Sequence, residues 1–265
     1  MKLCDAHCHY QFAEVPYAAV EEARQWGVAE AMVNGSAPSD WEDVAALARR
    51  DPRNLTSFGV HPWDVPTVPA GWATTLEHYL EKYPAAGVGE VGLDQWIEGY
   101  DIVAQGQVFR EQWTLAIKWQ RPVTIHSVRA TGPLMEHLRS LPPLASGFLL
   151  HSWNGPAELV SELVQRGAYF SFSPYHFAES KLSLREQFKS VIPRDRILIE
   201  TDAPALCPAP KDCLRTLPPG EDGKPANHPV NLVKVNEMLA QNLEQTLEQT
   251  AALTTENFAR LFLRR

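Results

Sequence analysis

Asp5-Ala6-His7-Cys8-His9 closes the first apolar run of the chain. Side chains of an extended segment alternate between faces, so Asp5, His7 and His9 are expected on one face, with Ala6 and Cys8 on the other. Two imidazoles at i and i+2 are spaced to chelate one cation, and Asp5, one layer deeper, is placed to orient a ligating ring. Other runs end in related chemistry. Glu90 sits within Gly87-Val88-Gly89-Glu90-Val91-Gly92-Leu93-Asp94, where glycines and apolar neighbours offer its charge no partner, and burying it uncompensated is costly. His126 follows Val123-Thr124-Ile125, His151 follows Phe148-Leu149-Leu150, and Leu198-Ile199-Glu200-Thr201-Asp202 carries two carboxylates on one face. Singly, each is an ordinary hydrogen-bonded strand end. Together they are hard to stabilise without cations, because clustered buried polar groups must find partners. Metal binding is the chemistry they point to.

The elements that must position these residues follow from the spacing of the runs. Eight strands are predicted: Lys2 to His7, Ala29 to Gly35, Leu55 to His61, Ala86 to Glu90, Pro122 to His126, Gly147 to His151, Ala168 to Ser173, and Arg196 to Asp202. Amphipathic helices lie between them, as at Asp101 to Gln120, where Ile102, Phe109, Trp113, Ala116 and Ile117 recur at helical spacing. Strands alternating with helices call for a parallel sheet in an α/β protein, and eight such units in about 250 residues fit a (β/α)8 TIM barrel. An open doubly wound sheet is the competitor. The barrel is favoured because the polar residues fall at C-terminal strand ends, where barrel active sites are assembled. No G-x-G-x-x-G follows the first strand, so nucleotide-cofactor chemistry lacks its main support.

With 45% hydrophobic and 21% charged residues, the 265-residue chain is not disordered, collagen-like or a coiled coil. One domain over residues 1–265 is expected. A chain of this length folds without disulfides or a structural metal, so a bound metal would be functional. The four cysteines (Cys4, Cys8, Cys207, Cys213) lack C-x-x-C spacing, and no secretory signal is evident, which points to the cytoplasm. No stretch approaches the roughly 20 apolar residues of a membrane span. The net charge of −8 argues against a nonspecific nucleic-acid coat. It leaves room for a nucleic-acid enzyme, since bound divalent cations reverse the potential where a phosphate would sit. Ala203 to Pro229 holds seven of the 21 prolines and reads as a stiff irregular loop over the barrel mouth, with Lys211, Arg215 and Lys224 as its cations. Two helices, Val230 to Asn242 and Leu243 to Leu263, are expected to follow.

Read in order, these segments resemble one family across nearly the whole chain: the TatD-like metal-dependent hydrolases, often described as TatD deoxyribonucleases, within the amidohydrolase barrel superfamily. The matching segments are Asp5 to His9, Gly59-Val60-His61-Pro62, Gly89 to Asp94, and Gln105, Phe109 and Gln112 on the helix that follows. Further along come Pro122 to Ser127, His151 with Gly155, Ser171-Phe172-Ser173, Ile192-Pro193, Glu200-Thr201-Asp202-Ala203-Pro204, and Asn227 with Pro229. The resemblance implies that His7, His9 and Asp202 hold one divalent ion, that His126 and His151 hold a second, and that Glu90 bridges the two. The ions would be Zn, Mn or Mg. No lysine lies between Ala85 and Asp94, so a carboxylated-lysine bridge is not expected there. Two ions so placed would activate a shared water and hold a scissile phosphate. Asp202 would orient or deprotonate that water, which makes Asp202 and Glu90 the expected catalytic residues. His61 either faces the substrate phosphate or caps its strand before Pro62, and Glu200 is expected beneath the metals. His176 and His228 fall in loops near the mouth, within reach of substrate, whereas His78 and His137 read as surface residues of helices.

Departures from the family pattern fall around the substrate. The usual His-Ser-Arg-Asp-Ala becomes His126-Ser127-Val128-Arg129-Ala130, the usual Cys-Phe-Ser-Gly becomes Ser152-Trp153-Asn154-Gly155, and Ala226 stands where many members carry arginine. Arg129 and Trp153 are therefore expected substrate contacts. The leading functional expectation is a two-metal phosphodiesterase acting on DNA or a smaller phosphodiester, with no membrane and no obligate protein partner. A metal-dependent hydrolase of a small amide, lactone or other ester is the alternative. A third is a non-catalytic metal-binding or partner-docking barrel with Trp63, Trp96, Trp153, Tyr175 and Phe177 around the mouth, and the retained Asp202 argues against it.

Overall fold

Strands β1 (Leu3–Cys8), β2 (Val28–Asn34), β3 (Asn54–Phe58), β4 (Gly87–Asp94), β5 (Val123–Val128), β6 (Phe148–Leu150), β7 (Ala168–Phe172) and β8 (Ile197–Ile199) pair in parallel and in chain order. Helices α1 (Tyr17–Gln25), α2 (Trp41–Arg50), α3 (Trp72–Lys82), α4 (Ile102–Trp119), α5 (Thr131–Ser140), α6 (Val160–Gln165) and α7 (Leu182–Ser190) alternate with them. This is the expected (β/α)8 barrel, seen in a computed structural model that describes residues 1–220 and 223–263. Glu221, Asp222, Arg264 and Arg265 of the expected domain lie outside the described residues. No described helix is long and apolar enough to cross a membrane.

All residues of β1, β4 and β7 are buried, because one face of each strand fills the barrel and the other is covered by helices. The helices follow their sequence signals. α4 begins where Asp101 accepts the backbone N–H groups of Val103 and Ala104 (3.0 Å each) and ends at Gln120 in the left-handed conformation, burying Phe109, Trp113 and Ala116 as the spacing predicts. The ring closes at the mouth, where Asp202 N–H donates to His7 O (3.0 Å) and His9 N–H to Ala203 O (2.7 Å). Those two bonds bring the ends of β8 and β1 together.

Three expectations change. The alternation expected along β1 is interrupted by a register shift between Asp5 and Cys8. Ala6 packs in a cluster with Met32, Leu149 and Leu198, and the Asp5 carboxylate faces Thr201 and Tyr10 rather than the imidazoles. The eighth strand is shorter than Arg196 to Asp202, since the chain leaves the ladder after Ile199 and reaches the left-handed region at Asp202 (φ 56°). The proline-rich loop contains an antiparallel pair, β9 (Thr216–Pro219) and β10 (Pro225–Asn227), anchored by the buried side chains of Leu217 and Ala226. Both strands of a two-stranded ribbon are edges, which is why their prolines are tolerated. The chain continues through α8 (Leu232–Leu243) and α9 (Leu247–Phe258), divided at Thr246, whose hydroxyl and backbone exchange hydrogen bonds with Gln249.

Candidate metal centre

Four candidate ligand atoms meet at the mouth, from the end of β1, the middle of β4 and the turn after β8. His7 Nε2 and His9 Nε2 are 3.1 Å apart, Glu90 Oε2 lies 3.2 and 3.1 Å from them, and Asp202 Oδ1 lies 3.4 and 3.6 Å from them. A tetrahedral ion with bonds of about 2.0–2.2 Å spaces its ligands about 3.3–3.6 Å apart, so the set fits one cation. A second set uses the other oxygen of the same glutamate. Glu90 Oε1 is 3.0 Å from His126 Nδ1 and 2.9 Å from His151 Nε2, and those two nitrogens are 3.2 Å apart. His61 Nε2 is 3.6 Å from Glu90 Oε1. The His7 and His151 rings stack at 4.1 Å, so the two sets share a wall.

Supporting contacts decide which ring nitrogens face the centre. His9 Nδ1 donates to Asn34 O at 2.8 Å, leaving Nε2 for a ligand. His126 is turned the other way, its Nε2 donating to Asp94 Oδ2 at 2.8 Å and its Nδ1 facing Glu90. Glu200, fully buried, places Oε1 3.4 Å from His151 Nδ1 and accepts from Ser152 N–H (2.8 Å) and Oγ–H (2.6 Å). His7 Nδ1 is buried without a hydrogen-bond partner among the described residues.

Two glutamines hold the strand ends that carry these groups. Gln105 Oε1 accepts from Asp94 N–H (2.8 Å) while its amide donates to Asp94 O (3.0 Å), and Gln112 does the same for Val60 (2.7 and 3.1 Å). Gly92 lets β4 approach β5, since a Cβ there would lie 2.0 Å from His126 O.

Charge balance is tight. Burial and the His151 imidazole press the pKa of His7 down, but Glu90 and Asp202 outweigh them and lift it to about 9. His151 is likewise raised, against burial, by Glu90 and Glu200. Burial drives Glu90 up, yet the surrounding imidazoles hold it well below the carboxylate range. Asp94 is also held low, its burial outweighed by hydrogen bonds from His126, Trp96 N–H and the Trp63 indole. His61 behaves oppositely: burial and neighbouring imidazoles, despite Glu90, lower it to about 3. It is therefore neutral near pH 7, and because Nδ1 accepts from Trp63 N–H (3.2 Å), its proton resides on Nε2.

The structure thus brings His7, His9, Glu90, His126, His151 and Asp202 together, with His61 at their edge. Asp5 stands apart from the rings. Instead of orienting an imidazole, it accepts from Thr201 N–H (2.9 Å), Thr201 Oγ1–H (2.6 Å) and Tyr10 O–H (3.1 Å), and so holds the segment that carries Asp202. Trp153, expected to meet substrate, is buried. Its ring packs edge-on against Phe170 and its indole N–H donates to Gln187 (2.8 Å), because Ser152 adopts a left-handed turn (φ 44°) that folds the next residue inward. His176 is wholly buried with Nε2 donating to Trp153 O (2.8 Å), and His228 accepts from Val230 N–H (3.1 Å), so neither reaches the mouth. Arg129 is exposed on a left-handed turn after β5. Asp94 is the residue the sequence reading missed. An alternation count from Glu90 was the available signal, since i+4 in a strand returns to the same face.

Comparison with known proteins gives consistent likenesses. A family model described as TatD related DNase matches residues 4–263. The uncharacterized metal-dependent hydrolase YabD of Bacillus subtilis (strain 168) is 32% identical over 207 residues, covering 78% of this chain and 76% of that protein. A protein named 3′-5′ ssDNA/RNA exonuclease TatD, from Cronobacter sakazakii, is 30% identical over 246 residues, with 92% of this chain and 90% of that one covered. Among solved structures, the TatD homologue YJJV of Escherichia coli K12 superposes with a TM-score of 0.88 at 25% identity, covering 99% of this chain and 98% of that one.

Proposed function

The chain belongs to the TatD related DNase family, and from that membership we propose that this metal-dependent hydrolase cleaves phosphodiester bonds of single-stranded nucleic acid, working from a 3′ end. The 3′ direction rests on the relatives named as 3′-5′ ssDNA/RNA exonucleases. The observation that carries the reading is the division of Glu90, whose two oxygens each face a separate pair of imidazoles within hydrogen-bond range.

In this proposal His7, His9, Asp202 and Glu90 hold one divalent ion, and His126, His151 and the other oxygen of Glu90 hold a second. Ions of Zn, Mn or Mg there would lower the pKa of a water and stabilise charge on the phosphate and the leaving oxygen. The chain supplies the rest. Asp202, fixed by its backbone bond to His7 O, accepts the proton of the attacking water. His61, neutral with its proton on Nε2, donates a hydrogen bond to a phosphate oxygen. Glu200 restrains His151, and Arg129 meets the substrate from the rim.

The test is to strip the protein of metal, reload it separately with Zn, Mn and Mg, measure ion content, and assay 5′-labelled single-stranded DNA beside a small carboxylic ester and a lactone. Metal-dependent shortening of the DNA from its 3′ end, lost in Asp202→Asn, is the expected result. Carbonyl hydrolysis with intact DNA would overturn the proposal in favour of an esterase or lactonase. No turnover of any substrate, with stoichiometric ions bound, would favour a non-catalytic barrel.

A further inference from the structure

Trp63 and Trp96 stand at the mouth with 47% and 58% of their surface exposed, while Trp41, Trp113 and Trp153 are almost fully buried. Their rings lie 6.5 Å apart at 37°, and both line a cavity of about 1310 Å³ that Pro204, Leu206 and Pro208 also line. The cavity adjoins the metal ligands: the Trp63 ring lies 6.5 Å from that of His126, and Pro204 in the cavity lining follows Asp202 by two residues. Adjacent exposed indoles on a water-facing wall call for a partner, since they leave apolar surface uncovered.

The same carboxylate anchors both residues, Trp63 through its indole and Trp96 through its backbone. The Trp63 indole N–H donates to Asp94 Oδ2 (2.9 Å) and its backbone N–H to His61 Nδ1 (3.2 Å), while Trp96 N–H donates to Asp94 Oδ1 (2.6 Å). The edge of His61 meets the Trp63 ring at 5.2 Å, and the His126 ring lies 6.5 Å from it. A Trp63 ring already fixed beside the metal ligands, with the Trp96 backbone anchored next to it, limits the freedom lost when a flat ligand stacks there.

We propose that Trp63 and Trp96 form a subsite that stacks an unpaired nucleobase of the strand whose phosphodiester lies at the metal ligands. The proposal rests on the phosphodiesterase reading and deepens it by naming what the enzyme grips beside the phosphate. Every base offers a π face, so the grip is tolerant of sequence and selects single strands, whose bases are free to leave their stack.

The experiment uses the metal-loaded full chain and two 5′-labelled oligonucleotides that differ only at the 3′ residue, thymidine in one and an abasic tetrahydrofuran in the other. Trp96 is the position to change, because the Trp63 indole also supports Asp94. The wild type is expected to favour the thymidine end by roughly 5- to 150-fold in kcat/KM, the span of base–aromatic stacking. Trp96→Ala should lose most of that preference while cleaving the abasic strand as the wild type does, and Trp96→Phe should keep much of it. An equal loss on both strands, or none on either, overturns the subsite. Should the wild type cleave neither strand, the phosphodiesterase reading fails separately. Anisotropy binding of the same two strands then decides the subsite: a thymidine-specific loss in Trp96→Ala supports it, and equal affinities refute it.

Discussion

Asp94 Oδ2 accepts the Nε2 proton of His126 at 2.8 Å, and this bond determines that Nδ1 is the nitrogen His126 turns toward Glu90. A carboxylate behind a ligating imidazole raises its basicity and fixes its tautomer, and losing such a partner typically costs about 10- to 100-fold in metal affinity or activity. Asp94→Asn keeps the side chain's shape but removes its charge. Chelator competition is expected to show weaker binding by about that factor for one ion of the two, with little change in the other. Equal weakening of both ions, or of neither, would show that Asp94 does not act through His126.

Glu90→Gln strikes both ligand sets at once. Elemental analysis of the reloaded variant is expected to fall from two ions toward none, and nuclease activity to drop by at least about 10²-fold, as for loss of a central electrostatic group. The metal-free variant should also be less stable in urea than the metal-free parent, by roughly 3–5 kcal/mol, because its buried imidazoles lose their counter-charge. A variant that retains two ions would refute the bridging role.

Protons and metal compete for the same atoms. His7, raised to about 9 chiefly by Glu90 against burial and His151, carries a proton at pH 7 in the metal-free protein. Its contribution to metal-free stability is therefore full below about pH 6.5, the unfolded value, and is lost as pH rises through about 9. Metal binding must displace that proton, so affinity is expected to rise with pH up to about 9, with proton release seen by calorimetry in buffers of different ionisation enthalpy. Chelation at pH 8 should lower Tm, and a Tm insensitive to chelator would contradict the proposal.

The six clustered side chains were legible because each terminates an apolar run, and a parallel barrel gathers strand ends on one rim. What the sequence hid were consequences of backbone detail and distance. A register shift in β1 removes Asp5 from the face that simple alternation assigns it. The left-handed turn at Ser152 sends Trp153 into the wall, which the run Ser152-Trp153-Asn154 does not announce. Asp94 was visible as a strand-end acid, but its partners Trp63 and His126 lie 31 and 32 residues away, so its role depends on the folded arrangement. The β9–β10 pair was masked by prolines, which ordinarily argue against strands and are tolerated at edges.

His176 supplies an acid-sensitive support for the wall behind His151. Its Nε2 donates to Trp153 O at 2.8 Å and its Nδ1 accepts from Ser173 N–H at 3.0 Å, so a second proton, placed on Nδ1, would break the Ser173 N–H bond. Burial does most to lower its pKa, to about 4, against the carbonyls of Trp153 (2.8 Å from Nε2) and Ser173 (3.2 Å from Nδ1), which favour the charged form. With the folded value depressed below the unfolded 6.5, the unfolded chain binds more protons between the two, and stability falls as pH drops from about 6.5 to 4. The linkage amounts to roughly 3–4 kcal/mol at most, at about 1.36 kcal/mol per unit. His176→Asn, which retains an acceptor for Ser173 N–H and cannot titrate, should unfold more readily at pH 7 but lose less further stability between pH 6.5 and 4. Urea midpoints across that range measure the slope directly, and parallel slopes in parent and variant would remove His176 as the cause.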